Sequence, residues 1–118
     1  REIRTRYELE GDVIRVEGHT DDVPMGNKLK YANNWELSVA RATNVGVFMI
    51  EKNGYDPDLI SITGHADTRP RISYTSETGQ RKLGKVLKEA RKANRRVDLI
   101  FARPAASEQI RRFFPEQE

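Results

Sequence analysis

The pattern that most constrains this chain occurs twice. Gly18-His19-Thr20-Asp21-Asp22-Val23-Pro24 is echoed by Gly64-His65-Ala66-Asp67-Thr68-Arg69-Pro70, and both copies read G-H-x-D-x-x-P. Each follows a short alternating stretch, Val13-Ile14-Arg15-Val16-Glu17 before the first and Leu59-Ile60-Ser61-Ile62-Thr63 before the second. Alternation with a period of two is the mark of a strand. Between the copies lies a segment with helical signals. Asn33 is placed as an N-cap with Glu36 three residues on, the helix runs to about Asn53, and Gly54 is suited to the C′ position. Strand, helix, strand predicts helices packed on a sheet, with both G-H-x-D loops at the same end of adjacent parallel strands. Two loops at one sheet end are a natural place to build a site.

The rest of the chain is read the same way. Residues 1–10 are expected to close a helix stopped at Gly11. Lys85 to Ala93 is helical, and Val97, Leu99 and Phe101 alternate in a last strand that Pro104 ends. Ser107 is placed as the cap of a tail helix, about 105–114, with Ile110, Phe113 and Phe114 as its apolar residues. A chain of 118 residues is expected to form one domain, residues 1–118. With 36% hydrophobic and 33% charged residues the core is small and the surface heavily solvated. No apolar run is long enough to span a bilayer. The chain carries no signal-like segment, so it is expected to be a mature or excised portion with any anchor outside it. It contains no cysteine, which excludes disulfides and thiolate chemistry, and its net charge of +3 permits an anionic partner without demanding one.

Three chemistries compete for the motif residues. His19, Asp21, His65 and Asp67 are ligand types for a divalent metal, but the residues of each pair are only two apart and no H-E-x-x-H or Cys cluster is present. The histidines are therefore expected to be structural, and no metal or other cofactor is expected. Ser38 and Ser61 lie in no G-x-S-x-G elbow, and Asp21 and Asp22, if on a strand, would face opposite ways; their plain reading is a solvated turn. Nothing specifies a reaction, so the chain is not expected to be an enzyme. Arg41 falls among Leu37, Ser38, Val45 and Phe48, on the half of the helix expected to face the sheet. A buried guanidinium wants a partner. Either it pairs structurally with Asp21 or Asp67, or it reaches a pocket at the loop ends, where Asp21 and Arg41 together would receive a zwitterion. Trp35 is read as a packing residue or hydrophobic staple. The basic residues Arg81, Lys82, Lys85, Lys88, Arg91, Lys92, Arg95 and Arg96 are read as a solvated face on an exposed, mobile excursion. The alternative is that residues 81–96 bind a polyanion, nucleic acid or an anionic wall polymer.

Taken together, Val16 through Asp21, Asn34-Trp35-Glu36-Leu37-Ser38-Val39-Ala40-Arg41-Ala42, Gly64 through Pro70, and Asn94-Arg95-Arg96-Val97 resemble the OmpA-like peptidoglycan-binding domain. Asp22-Val23-Pro24 and the Asn34–Ser38 block are most similar to its flagellar stator branch, the MotB-type proteins. The resemblance covers residues 13–102 and implies an α/β (α+β) domain, a βαβαβ mixed sheet with helices on one face, whose first strand has no counterpart here. It implies a periplasmic domain of an inner-membrane-anchored bacterial protein that binds the peptidoglycan stem peptide, often through diaminopimelate, without catalysis. By the same resemblance Asp21 would hold the ammonium of diaminopimelate and Arg41 a carboxylate, with Asn34 and Arg95 completing the pocket. The implied partners are peptidoglycan, a channel-forming stator subunit engaged through a membrane segment outside this chain, and a second copy of the domain; nucleic acid is not among them. An outer-membrane lipoprotein or a porin tail could carry the same domain. Two departures stand out. Val23 replaces a polar residue, and the 23 residues between Pro70 and Asn94 exceed the usual spacing, placing a basic insertion at about 75–93.

Overall fold

The computed structural model describes residues 13–26 and 30–102. In chain order these form strand β1 (Val13–His19), helix α1 (Asn34–Asn53), a 3-10 turn (Pro57–Leu59), strand β2 (Ile60–Gly64), helix α2 (Gly84–Asn94) and strand β3 (Arg96–Ala102). The expectations for residues 1–10 and for the tail helix at 105–114 lie outside the described residues. No described helix is long and apolar enough to cross a membrane.

The sheet order is β2-β1-β3, a mixed sheet with β1 in the centre. β1 and β2 are parallel and joined by α1, while β3 runs antiparallel to β1. The register places Ile14 beside Ile60, Val16 beside Ile62 and Gly18 beside Gly64. Because strand side chains alternate, these residues share one face, and α1 lies on it along β1 and β2. Ile14, Val16, Ala42 and Met49 make the buried core, with Val45, Ile60 and Val97 packed around it. α1 covers little of β3, which leaves Leu99 and Phe101 exposed on the same face.

The helix begins and ends where its capping residues dictate. Asn33 Oδ1 accepts the Glu36 N–H at 2.9 Å. The Glu36 carboxylate accepts from Ala32 N at 3.2 Å, one residue earlier than a capping box requires. At the far end Gly54 takes φ 72°, a left-handed conformation that costs glycine no Cβ clash. Ser38, Ala42, Gly46 and Met49, spaced by three or four residues, form the buried stripe.

The basic segment differs from its sequence reading. Residues 75–81 form a small hairpin, with Thr75 bridged to Arg81. α2 follows as an ordered helix with Ala90 and Asn94 buried. Asn94 is fully buried, accepts from Arg71 N at 2.7 Å and Ile72 N at 2.9 Å, and donates to the Ile72 carbonyl at 2.9 Å. Arg81 and Arg91 both bind the Asp22 carboxylate, and Lys82 donates to the Ser73 carbonyl. The segment is largely exposed, as expected, but these ion pairs and the Asn94 bonds anchor it to the rest of the fold at both ends. Lys85, Lys88 and Lys92 alone of the eight keep the solvated role read for them.

Candidate ligand-binding pocket

The site is built where α1 crosses the ends of β1 and β2. At that crossing the paired residues Gly18 and Gly64 present no side chain. A Cβ on Gly64 would lie 2.6 Å from Ser38 Oγ, and one on Gly18 would collide with the Ser38 carbonyl oxygen. The glycine of each motif therefore admits the helix backbone to the strand ends. Ser38, fully buried, fills the space. Its hydroxyl donates to the Trp35 carbonyl at 2.9 Å and accepts the Ala66 N–H at 3.0 Å. That bond holds Ala66 at φ 53°, an uncommon conformation for alanine. The two loops are then laced together: His65 N donates to the Gly18 carbonyl at 3.0 Å and Thr20 N to the Ala66 carbonyl at 2.9 Å.

Beyond this crossing lies a cavity of about 460 Å³, bounded by Asp21, Asn34, Arg41 and Arg95 together with Thr20, Val23, Pro24, Met25, Lys30, Tyr31 and Leu37. All four residues singled out from the sequence thus border one space, although they come from a loop, two positions about two turns apart on α1, and the residue just before β3. Asp21 accepts Val23 N at 3.0 Å on one oxygen and Arg95 Nη1 at 2.8 Å on the other. The side-chain amide of Asn34 donates to the Val23 carbonyl at 3.1 Å, fixing the loop against the helix start. Arg41 is half-buried and makes no ion pair or hydrogen bond among the described residues, so the expected alternatives of a pair with Asp21 or Asp67 are both absent. Asp67 is exposed and borders a different cavity, beside Trp35 and Asp22. The two motif copies are therefore alike in backbone and unlike in what their aspartates face. Among the described residues one carboxylate faces three cations, Lys30, Arg41 and Arg95, a balance that suits a ligand carrying more negative than positive charge.

Asp22 is not the solvated turn read from the sequence. Burial opposes its ionisation, but the hydrogen bonds from Arg91 and Arg81 outweigh that and hold its carboxyl below the usual value. Arg81 also lies over the Tyr74 ring, 5.1 Å from its centroid. Trp35 is corrected as well. It is 53% exposed and borders a shallow apolar surface with Tyr31, Val39 and Ala40, so it is no staple. The sequence puts Ser38 on the sheet-facing half of the helix and weighs it otherwise only as a nucleophile by type; its role in joining the two loops is what sequence reasoning missed. Its place opposite two motif glycines was the available signal.

On the opposite face of the sheet the motif histidines stack, ring centroids 5.0 Å apart and planes at 21°. His19 Nε2 lies 3.4 Å from Asp98 Oδ2 and His65 Nε2 lies 3.2 Å from Glu17 Oε1. Burial, then the nearby Arg96, lowers the His19 pKa; Asp98 acts the other way without reversing it. The ring is thereby kept neutral near pH 7.

A helix crossing two strand ends on a glycine pair, with an acidic and a basic residue bordering one cavity, defines an α+β module with a candidate ligand site. The model of the OmpA family matches residues 1–84, and the chain belongs to that family. Motility protein B of Bacillus subtilis (strain 168) is 32% identical over 95 residues, 80% of this chain and 32% of that protein. The periplasmic domain of Helicobacter pylori MotB superposes with a TM-score of 0.63 at 26% identity, covering 90% of this chain and 58% of that one. The cell wall anchor of the T6SS from Pseudomonas aeruginosa superposes with a TM-score of 0.58 at 31% identity, covering 80% and 57%. The chain spans about a third of the length of the curated relatives it matches.

Proposed function

We propose that this domain is a non-catalytic cell-wall anchor whose cavity takes the peptidoglycan stem peptide at a diaminopimelate-type residue. Asp21 receives the ammonium and Arg41 a carboxylate, while Asn34 shapes the loop and Arg95 shares the Asp21 carboxylate. The observation that carries this reading is Arg41, a half-buried residue whose guanidinium has no partner among the described residues and which borders the same cavity as Asp21. Such a group is poised for a bidentate carboxylate. The wall-anchor and motility relatives support the class of partner. In the intact protein, a periplasmic domain of this kind would fix an inner-membrane complex, a flagellar stator with its channel-forming partner subunit, to the wall. The polyanion reading loses ground because Arg81, Arg91, Arg95 and Arg96 are all engaged by aspartates.

The test is co-sedimentation with purified sacculi. Arg41→Ala and Asp21→Ala should each weaken binding by about 2–5 kcal/mol, the cost of truncating one partner of a hydrogen-bonded charge pair. Folded variants that sediment like wild type would refute the assignment.

A further inference from the structure

We propose that Glu17, His19 and His65 form a binding site for one divalent transition-metal ion of the zinc type. The inference is independent of the wall-binding cavity. It reverses the expectation drawn from spacing within each motif, because the fold groups the residues differently: one histidine from each copy, with a glutamate from the strand before the first.

The register makes the grouping. Gly18 pairs with Gly64 in the parallel ladder, so the next residues, His19 and His65, come side by side. Glu17 lies two residues before His19 and therefore on the same face. The carboxylate oxygen and the two imidazole nitrogens all lie within 4.8 Å of one another. Glu17 Oε1 and His65 Nε2, at 3.2 Å, are already at about the separation of two ligands on a tetrahedral ion with bonds of about 2.0–2.1 Å. Convergence of the third needs one imidazole to turn out of the near-parallel stack.

The second observation is what these atoms lack. His19 is 2% exposed and His65 and Glu17 are each 9% exposed. Among the described residues neither nitrogen of His19 nor Nε2 of His65 finds a hydrogen-bond partner. The 3.2 and 3.4 Å approaches to Glu17 and Asp98 are close in distance but not aligned as bonds. Buried polar atoms without partners are costly, and an ion would satisfy one nitrogen of each imidazole at once. The surroundings also hold the donors in place. Arg15 Nε binds Glu17 Oε2 at 3.1 Å and leaves Oε1 toward His65, the kind of outer contact that orients a ligating carboxylate. Arg96 is the nearby opposing cation, and both oxygens of Asp98 bind it.

The experiment uses untagged protein stripped with chelator, titrated with Co²⁺ and then with Zn²⁺ in competition. The expected result is one equivalent of Co²⁺ with the visible absorption of a tetrahedral N/O site, displaced by Zn²⁺, and a melting temperature that rises with Zn²⁺. Glu17→Gln and His65→Gln, which preserve bulk and report their fold by circular dichroism, should each weaken Zn²⁺ at least tenfold. Absence of saturable binding to wild type at millimolar metal would overturn the proposal. So would binding that both folded variants retain unchanged.

Discussion

Gly18→Ala is the substitution that tests how the pocket is assembled. An added Cβ would meet the carbonyl oxygen of Ser38 and lie 2.9 Å from its carbonyl carbon. Both atoms belong to helix backbone, so no rotamer relieves the contact. α1 must lift by roughly 1 Å, and a gap of that size forfeits a quarter to a half of the dispersion energy of the contacts it opens. The affected contacts are the buried ones of Ser38, Ala42 and Met49 against β1. Overpacking of this kind costs about 1–3 kcal/mol, and a rigid backbone partner puts Gly18→Ala at about 3 kcal/mol. An unfolding entropy of about 2.1 cal/mol/K per residue makes 1 kcal/mol worth about 4 °C in a domain of this length, so the midpoint should fall by about 12 °C. Gly46→Ala is the matched control. Its Cβ would meet only Ile62 Cδ1, the mobile end of a side chain, at 2.6 Å. The helix propensity gained, about 1 kcal/mol, offsets the repacking, so its midpoint should stay within about 4 °C of wild type. Thermal melts followed by far-UV circular dichroism measure both. A Gly18→Ala midpoint within about 4 °C of wild type, or a larger loss in Gly46→Ala, would refute the account of the crossing. The same lift moves Arg41 relative to Asp21, so folded Gly18→Ala should also lose sacculus binding.

Two further perturbations probe the support around the pocket. Asn94→Ala should cost about 2 kcal/mol in urea unfolding, because it removes three bonds of a fully buried side chain and leaves the part-buried Arg71 and Ile72 N–H groups without their acceptor. For Asp22→Asn, the folded carboxyl titrates below its ordinary value of 3.8, so its stabilising contribution is present above about pH 4 and lost as pH falls through the lowered folded value. With its two arginine partners partly exposed the contribution is about 1 kcal/mol, and the stability of Asp22→Asn, measured by urea titration at several pH values, should fall less than that of wild type below pH 4.

The local signals in the sequence carried a long way. The Asn33 cap, the Gly54 terminus and the period-two strands are decided within a few residues, and the repeated motif implied that β1 and β2 are parallel neighbours. Asp21 and Arg41 could be named as candidates from the motif and the helix face, whereas Asn34 and Arg95 came only from the family resemblance. What stayed hidden depends on distant partners. Asp22 takes two arginines 59 and 69 residues away, and periodicity does not say which of eight cations will reach it. Trp35 looked like core because it is large and apolar, yet it lies just past the edge of the buried stripe that starts at Ser38. Grouping the histidines motif by motif hid their pairing across the strands, which only the register reveals.

The basic segment also acquires a role that its composition did not suggest. Arg95 can reach Asp21 because β3 starts where it does, and that start is set by Asn94, locked to the backbone of residues 71 and 72. The other side of the same loop is held by Arg81 and Arg91 on Asp22. The consecutive carboxylates Asp21 and Asp22 are thus clamped from different elements, β3 on one and the hairpin and α2 on the other. Deleting residues between Ser73 and Ala93 would release Asp22 even with Asn94 and Arg95 retained. The loop that carries Asp21 would then be tethered by Arg95, the Asn34 amide and the Thr20–Ala66 bond, without the two arginines on Asp22. The length of the segment therefore bears on how firmly the pocket's one carboxylate is held, and its charge is spent largely within the molecule.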